Sequence, residues 1–131
     1  MNFRLKTTAY TGAILKNLQN STGLTPNLLA RIAISLSILE PSMPDEVQSE
    51  SDGIEFNRNT LTGEQDYFYK SLIRQHAKME VQEDDYFPNL FNAHLHRGTK
   101  LLENEYKHAG NFDKLLKNLI KLSQENAKEV L

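Results

Sequence analysis

Asn2-Phe3-Arg4-Leu5-Lys6-Thr7, followed by helix-forming residues as far as Asn20 and then by Ser21-Thr22-Gly23, decides how this chain is read. The alternation marks a short strand. Successive side chains of a strand point to opposite faces, so Phe3, Leu5 and Thr7 are expected to face a core while Asn2, Arg4 and Lys6 face outward together. An isolated strand is marginal and needs a partner.

Two helical segments follow directly. The first is expected over residues 8–20, where Tyr10, Ala13, Ile14 and Leu18 recur at spacings of three and four and form one apolar face. Gly23 supplies the positive φ that commonly ends a helix. Thr25 is a good N-cap, and Pro26 at the first helical position gives up only an amide that has no helical partner there. The second helix, residues 26–39, carries Leu28, Leu29, Ile32, Ala33, Ile34, Leu36, Ile38 and Leu39, leaving Asn27, Arg31 and Ser35 as one polar stripe. A helix apolar around most of its circumference is buried on several sides. The first forty residues cannot bury it alone, so copies of the chain are expected to pair through Leu28, Ile32, Ile34, Leu36 and Ile38, as a dimer or a tetramer made from two dimers. Strand, helix and helix in this order give a ribbon-helix-helix-like start. A row of donor side chains on a two-stranded ribbon has the size and chemistry to enter a DNA groove.

The chain has 131 residues, a net charge of −2 and no cysteine. That length is one domain by the usual prior, and no apolar run approaches the roughly 20 residues that cross a bilayer. Arg4 alone precedes Leu5 and no extended apolar segment follows, so no signal peptide and a cytoplasmic location are expected. Without cysteine, disulfides, thiolate zinc sites, cysteine nucleophiles and a persulfide carried on this chain are excluded. The charge is unevenly spread. Residues 1–40 hold Arg4, Lys6, Lys16 and Arg31 against Glu40, whereas residues 41–59 carry Asp45, Glu46, Glu50, Asp52 and Glu55 against Arg58. With Pro41, Pro44, Gly53 and three serines, Ser42, Ser49 and Ser51, that second stretch reads as an acidic, irregular surface loop.

Helical spacing resumes near Thr60, where Thr62 and Gln65 have the spacing of a capping box and Phe68, Tyr69, Leu72 and Ile73 continue it to about Met79. Another helix is expected from about Pro88, burying Phe87, Leu90, Phe91, Leu95, Leu101 and Leu102, with Gly98 permitting a close approach or a bend. Gly110-Asn111 breaks the pattern. A last amphipathic helix, residues 112–130, offers Leu115, Leu116, Leu119, Ile120, Leu122 and Ala127 to the core and exposes Lys114, Lys117, Lys121 and Lys128. Those lysines are interspersed with Asp113, Glu125 and Glu129, as on an ordinary solvated face. The whole reads as a mainly α chain in four stretches: residues 1–40, the loop 41–59, a helical part 60–102 and a helical extension 103–131.

Catalytic chemistry has little to stand on. His94 and His96 are two apart on a helix and point about 200° away from each other, so they cannot clasp one ion as an i, i+4 pair can. His76 and His108 complete no evident metal site. Neither a phosphate-cradling GxxxxGK[ST] run nor a GxGxxG after a strand is present, and Asp84-Asp85 reads as a helix N-terminal charge. Tyr67, Tyr69, Tyr86 and Tyr106 sit in apolar helical contexts that are more often core than nucleophile. No catalytic residue, metal or cofactor is expected.

Several separated blocks resemble the DndE family of DNA sulfur-modification (phosphorothioation) proteins: Leu29 to Ser42, Glu55-Phe56-Asn57, Thr60-Leu61-Thr62-Gly63-Glu64, Leu72-Ile73-Arg74-Gln75 and His94-Leu95-His96-Arg97-Gly98. The resemblance runs from about Phe3 to Leu102. It implies a small DNA-binding component of the machinery that replaces a non-bridging phosphate oxygen with sulfur. Its partners would be DNA, nicked duplex included, and the other DNA sulfur-modification proteins: a cysteine desulfurase, an ATP-dependent sulfurtransferase component and an ATPase-like component. Arg4, Lys6, Lys16 and Arg31 are the phosphate-binding candidates, being the only arginines and lysines of residues 1–40. A ribbon-helix-helix-type transcriptional regulator is the alternative reading, a purely structural scaffold a third, and a metal-dependent nickase built on His94 and His96 a fourth.

Overall fold

A computed structural model describes residues 3–130, with side chains from 3 to 125; Asn2 lies outside the described residues. The chain is mainly α, and β1 (Arg4–Lys6) leads into α1 (Ala9–Thr22) and α2 (Pro26–Leu39). Local signals set these limits. The Thr8 hydroxyl accepts from the Thr11 amide and the Thr25 hydroxyl from the Leu28 amide, each filling one of the open N-terminal positions of its helix. Gly23 at φ 77° ends α1, its amide donating to the Gln19 carbonyl. The chain turns by 113° between the two helices.

The ribbon is completed within the chain. β2 (Glu55–Asn57) pairs antiparallel with β1, setting Arg4 against Asn57, Leu5 against Phe56 and Lys6 against Glu55. The expected irregular loop 41–59 therefore contains a strand, and the ribbon needs no second copy of the chain. Leu5, Thr7 and Phe56 are buried. Phe3, expected on the same inner face, is 53% exposed because the ladder begins only at Arg4; its carbonyl instead accepts from the Arg58 amide at 2.7 Å.

The cover for α2 comes from α5 (Phe91–Ala109), whose contact with it is the most extensive between any two elements. Ile34 is 0% and Leu36 9% exposed inside a single chain, which corrects their expected place between subunits. Leu28 stays exposed, and Ile32 and Ile38 are half-buried. The buried face of α1 is also shifted: Thr11, Ile14, Leu15 and Leu18 turn inward, while Tyr10 and Ala13 remain at the surface. α5 is the more enclosed helix, buried at every position from Phe91 to Leu95.

The remaining elements pack around this pair. α3 (Arg58–Leu61) and a 3-10 turn (Gly63–Gln65) precede α4 (Asp66–Ala77), which buries Ile73 and Ala77 but leaves Phe68 exposed. The expected capping box is absent: the Thr62 hydroxyl lies 2.9 Å from the Arg58 carbonyl and 2.7 Å from Asp66 Oδ1. A π-helical turn (Asp85–Leu90), interrupted at Phe87, delays the start of the next helix from Pro88 to Phe91. Beyond Gly110, α6 (Phe112–Val130) packs chiefly on α5. It buries Leu115 and half-buries Leu119 and Leu122, while Leu116 and Ile120 are exposed. The side chains of Ala127, Lys128 and Glu129 lie outside the described residues. No single helix among the described residues is long and apolar enough to cross a membrane.

Candidate nucleic-acid interface

Register sets the cations of the ribbon. Arg4 and Lys6 are two apart on β1, so both leave its outer face, but Glu55 leaves the same face of β2 directly across from Lys6. Arg4 Nη1 is 3.6 Å from Glu55 Oε2, and the two side chains are 72% and 54% exposed. An ion pair this open contributes little, so it leaves the guanidinium accessible to another anion. Lys16 is exposed on α1. Arg31 is used differently. Its Nε donates to the Leu61 carbonyl at 2.9 Å and its Nη2 to the Thr60 carbonyl at 3.3 Å, so this half-buried side chain ties α2 to the end of α3. Arg4 and Lys16 are thus exposed, Lys6 is half-buried on the outer face of the ribbon, and Arg31 is engaged in the fold.

A helix N-terminus attracts phosphate. That of α1 is already occupied, because Glu50 Oε1 accepts from the Ala9 amide at 3.1 Å. The acidic stretch therefore folds back on the start of α1, where the Glu50 amide also donates to the Thr7 carbonyl.

α5 brings two further groups to this side, Lys100, which the linear sequence did not mark, and His96, which it marked only beside His94. His96 Nδ1 lies 3.1 Å from Thr8 Oγ1 and 3.3 Å from Thr11 Oγ1, and its ring is 5.3 Å from that of Tyr10. Burial, and then the nearby charge of Lys100, hold His96 below its usual pKa. Lys100 is exposed and thus adds a cation beside the start of α1. Burial and then Glu103 raise the Tyr10 hydroxyl, placing an acid at the margin of the same surface.

Beneath the ribbon, Arg58 is 3% exposed and holds β2, α3 and α4 to the turn before α5. Its Nε and Nη2 donate to Asp66 Oδ1 and Oδ2 at 2.8 and 2.7 Å, and Nη1 is 2.8 Å from Glu83 Oε1. The guanidinium carbon lies 4.7 Å from the Phe87 ring centroid and 5.3 Å from that of Tyr86, and Lys70 pairs with Glu83. Burial alone would push the Asp66 carboxyl up, but hydrogen bonds from Arg58 and Thr62 outweigh it and hold the group below its usual value. The Lys70 hydrogen bond, aided by Arg58, likewise lowers Glu83. Sequence reading left Arg58 as a stray cation in an acidic stretch, since charge alone does not say whether a side chain points inward.

A second polar cluster ties α5 to the C-terminal end of α2. Arg97 donates through Nε to Ser37 Oγ at 2.9 Å, through Nη2 to the Ser37 carbonyl at 2.8 Å and through Nη1 to the Ser42 carbonyl at 2.7 Å. The Ser37 carbonyl also accepts from the Glu40 amide that caps α2, so Arg97 adds a second donor there and reaches past the helix end to Ser42. Ser37 Oγ also lies 2.8 Å from His94 Nδ1. Arg97 can only donate, so Ser37 Oγ accepts from it, while the direction of the Ser37–His94 bond follows the imidazole tautomer. His94 packs edge-to-face on His76, with ring centroids 4.9 Å apart, while His96 belongs to the α1 side. Among the described residues no group of three or more His, Asp or Glu side chains could hold a metal ion. Of the tyrosines expected in the core, Tyr86 is buried but Tyr67 is 79% exposed.

The fold and this surface define a small helical protein whose N-terminal ribbon is closed in cis and edged with cations. The chain belongs to the DndE family: it matches the family described as DNA sulphur modification protein DndE over residues 4–110. It is also similar to the crystal structure of DndE from Escherichia coli B7A, involved in DNA phosphorothioation modification, with a TM-score of 0.60 and 22% identity over 76% of this chain and 96% of that one. At that identity the likeness concerns the fold. No curated protein matches. α6 lies beyond the matched residues.

Proposed function

We propose that this chain is a non-catalytic DNA-binding subunit of DNA phosphorothioation machinery, binding duplex DNA with a preference for nicked sites. The observation that carries the reading is the exposure of Arg4 and Lys16, with the half-buried Lys6 on the outer ribbon face beside Arg4, on a chain of the DndE family. Such cations bind phosphates by releasing condensed counterions, which makes binding salt-dependent and largely indifferent to sequence. The chain has no cysteine to carry sulfur and no nucleotide loop to activate phosphate, so those steps fall to the other modification proteins. Self-association, as a dimer or a tetramer, would use the remaining apolar surface of α2 at Leu28, Ile32 and Ile38. A regulator reading bases from the ribbon is the second reading, supported by the exposure of Arg4, but Glu55 across the ladder sets an acid where a groove-reading ribbon needs donors.

A fluorescence titration of intact, nicked and single-stranded DNA at two salt concentrations tests this. Nicked duplex should bind tightest, with affinity falling as salt rises and changing little between sequences. Strong dependence on sequence would favour the regulator, and no binding at moderate salt would favour a scaffold. Supercoiled plasmid incubated with the protein and magnesium or manganese should stay supercoiled; nicking lost in His94→Ala or His96→Ala would show an active site.

A further inference from the structure

We infer that the cavity between residues 43–49 and residues 79–93 is a docking site for a basic, arginine-bearing segment of a partner protein. The cavity has a volume of about 680 Å³, within the roughly 300–1,000 Å³ range of ligand pockets. Glu46, Glu80 and Asp85 line it together with Met43, Val47, Val81, Pro88 and Leu90, and its lining contains no lysine, arginine or histidine. Carboxylates over an apolar wall suit a side chain with an aliphatic stem and a cationic head. The same carboxylates repel a phosphate backbone, so this surface is distinct in chemistry from the ribbon.

Asn92 adds a second, independent reason. It lines the cavity, is 3% exposed, and its Nδ2 donates to the Lys6 carbonyl at 3.1 Å. A carbonyl can only accept, so the amide cannot be turned the other way, and Oδ1 is left as a buried acceptor with no partner. An unpaired buried acceptor is costly. A guanidinium, with five N–H donors in a planar fork, offers donors to such an acceptor and to the rim carboxylates, whereas a phosphodiester or an ionised carboxylate cannot donate at all.

The test is an NMR titration of the full ¹⁵N-labelled chain with an acetylated Leu-Arg-Leu-Arg-Leu peptide, run beside the same peptide with glutamate for arginine and beside spermine. The arginine peptide should shift amides of residues 43–49 and 79–93, the glutamate peptide should not, and spermine should compete weakly because it lacks the apolar side chains. Glu80→Lys with Asp85→Lys, at two exposed positions, should weaken the arginine peptide by about tenfold or more while leaving the rest of the spectrum unchanged. The inference is overturned if the arginine peptide leaves these amides unmoved at millimolar concentration. Shifts scattered over the surface, affinity unaltered in the double variant, or full competition by spermine would each overturn it as well. DNA titration of the same double variant separates this site from the proposed DNA surface, since DNA affinity should not fall.

Discussion

A Cβ built on Gly98 would lie 1.8 Å from the carbonyl oxygen of Ala33, so α5 crosses α2 at a distance that only glycine permits. Both partners are backbone-deep in the core, and neither helix can move aside without opening the rest of the contact. Gly98→Ala should therefore destabilise the protein by roughly 3 kcal/mol or more, at or beyond the upper end of ordinary overpacking costs. Urea denaturation measures it; a loss below 1 kcal/mol, about the low end of overpacking, would mean that the helices separate easily.

Removing Arg58 leaves Asp66 and Glu83 facing each other without the cation that both bind. Arg58→Met is expected to cost about 3 kcal/mol, the lower end for a broken buried pair because the two carboxylates keep some solvent contact. Arg58→Lys should recover only part of this, since an ammonium cannot make the paired contact with Asp66. The acid dependence should change too. Both carboxyls are held below their usual values, so their stabilisation is present above about pH 4 and is lost as pH falls through the lowered folded values. Denaturation curves at pH 7 and at pH 3 should show a smaller difference in the variant than in the parent.

Burial, followed by the charges of His76 and Arg97, pushes His94 down to about 3. An unfolded histidine titrates near 6.5, so the unfolded chain takes up a proton between these values while the folded chain does not. Stability from this residue is complete above about pH 6.5 and falls as pH drops toward 3, by at most about 1.4 kcal/mol per pH unit. His94→Gln should flatten that slope between pH 6 and 4, whatever its effect on stability at pH 7. An unchanged slope in urea titrations would show that His94 takes up a proton in the folded state.

The surface cations and Arg31 should separate in a DNA titration. Arg4→Ala, Lys6→Ala and Lys16→Ala are each expected to weaken all duplexes alike and to lower the salt slope by about one. Arg31→Ala should instead reduce thermal stability, because two carbonyls of the α3 segment lose their donor. Normal stability with lost DNA binding in Arg31→Ala would place that residue back in the interface.

The limits of α1 and α2 were legible because their causes are local: Thr25 and Pro26 start a helix and Gly23 ends one through bonds within a few residues. Gly98 was legible as a point of close approach for the same kind of reason. The family resemblance was legible as well, and the structure shows one basis for it. The block from Leu29 to Ser42 meets the block from His94 to Gly98 across α2 and α5, through Ser37, Ser42, Arg97 and the Gly98–Ala33 crossing.

Tertiary structure alone decided the partners. An apolar helix states that it will be covered but not by what, and α5 covers α2 where a second copy of the chain was expected. A strand states its faces but not its neighbour, and β2 arrived from a stretch whose acids and prolines read as loop. Cations are least legible of all: Arg4 remains outside, Arg31 ties two helices and Arg58 is enclosed by two carboxylates and two aromatic rings. Composition fixes how many charges a chain has, whereas burial, and the donors and acceptors met at long range, fix which of them are left to bind anything else.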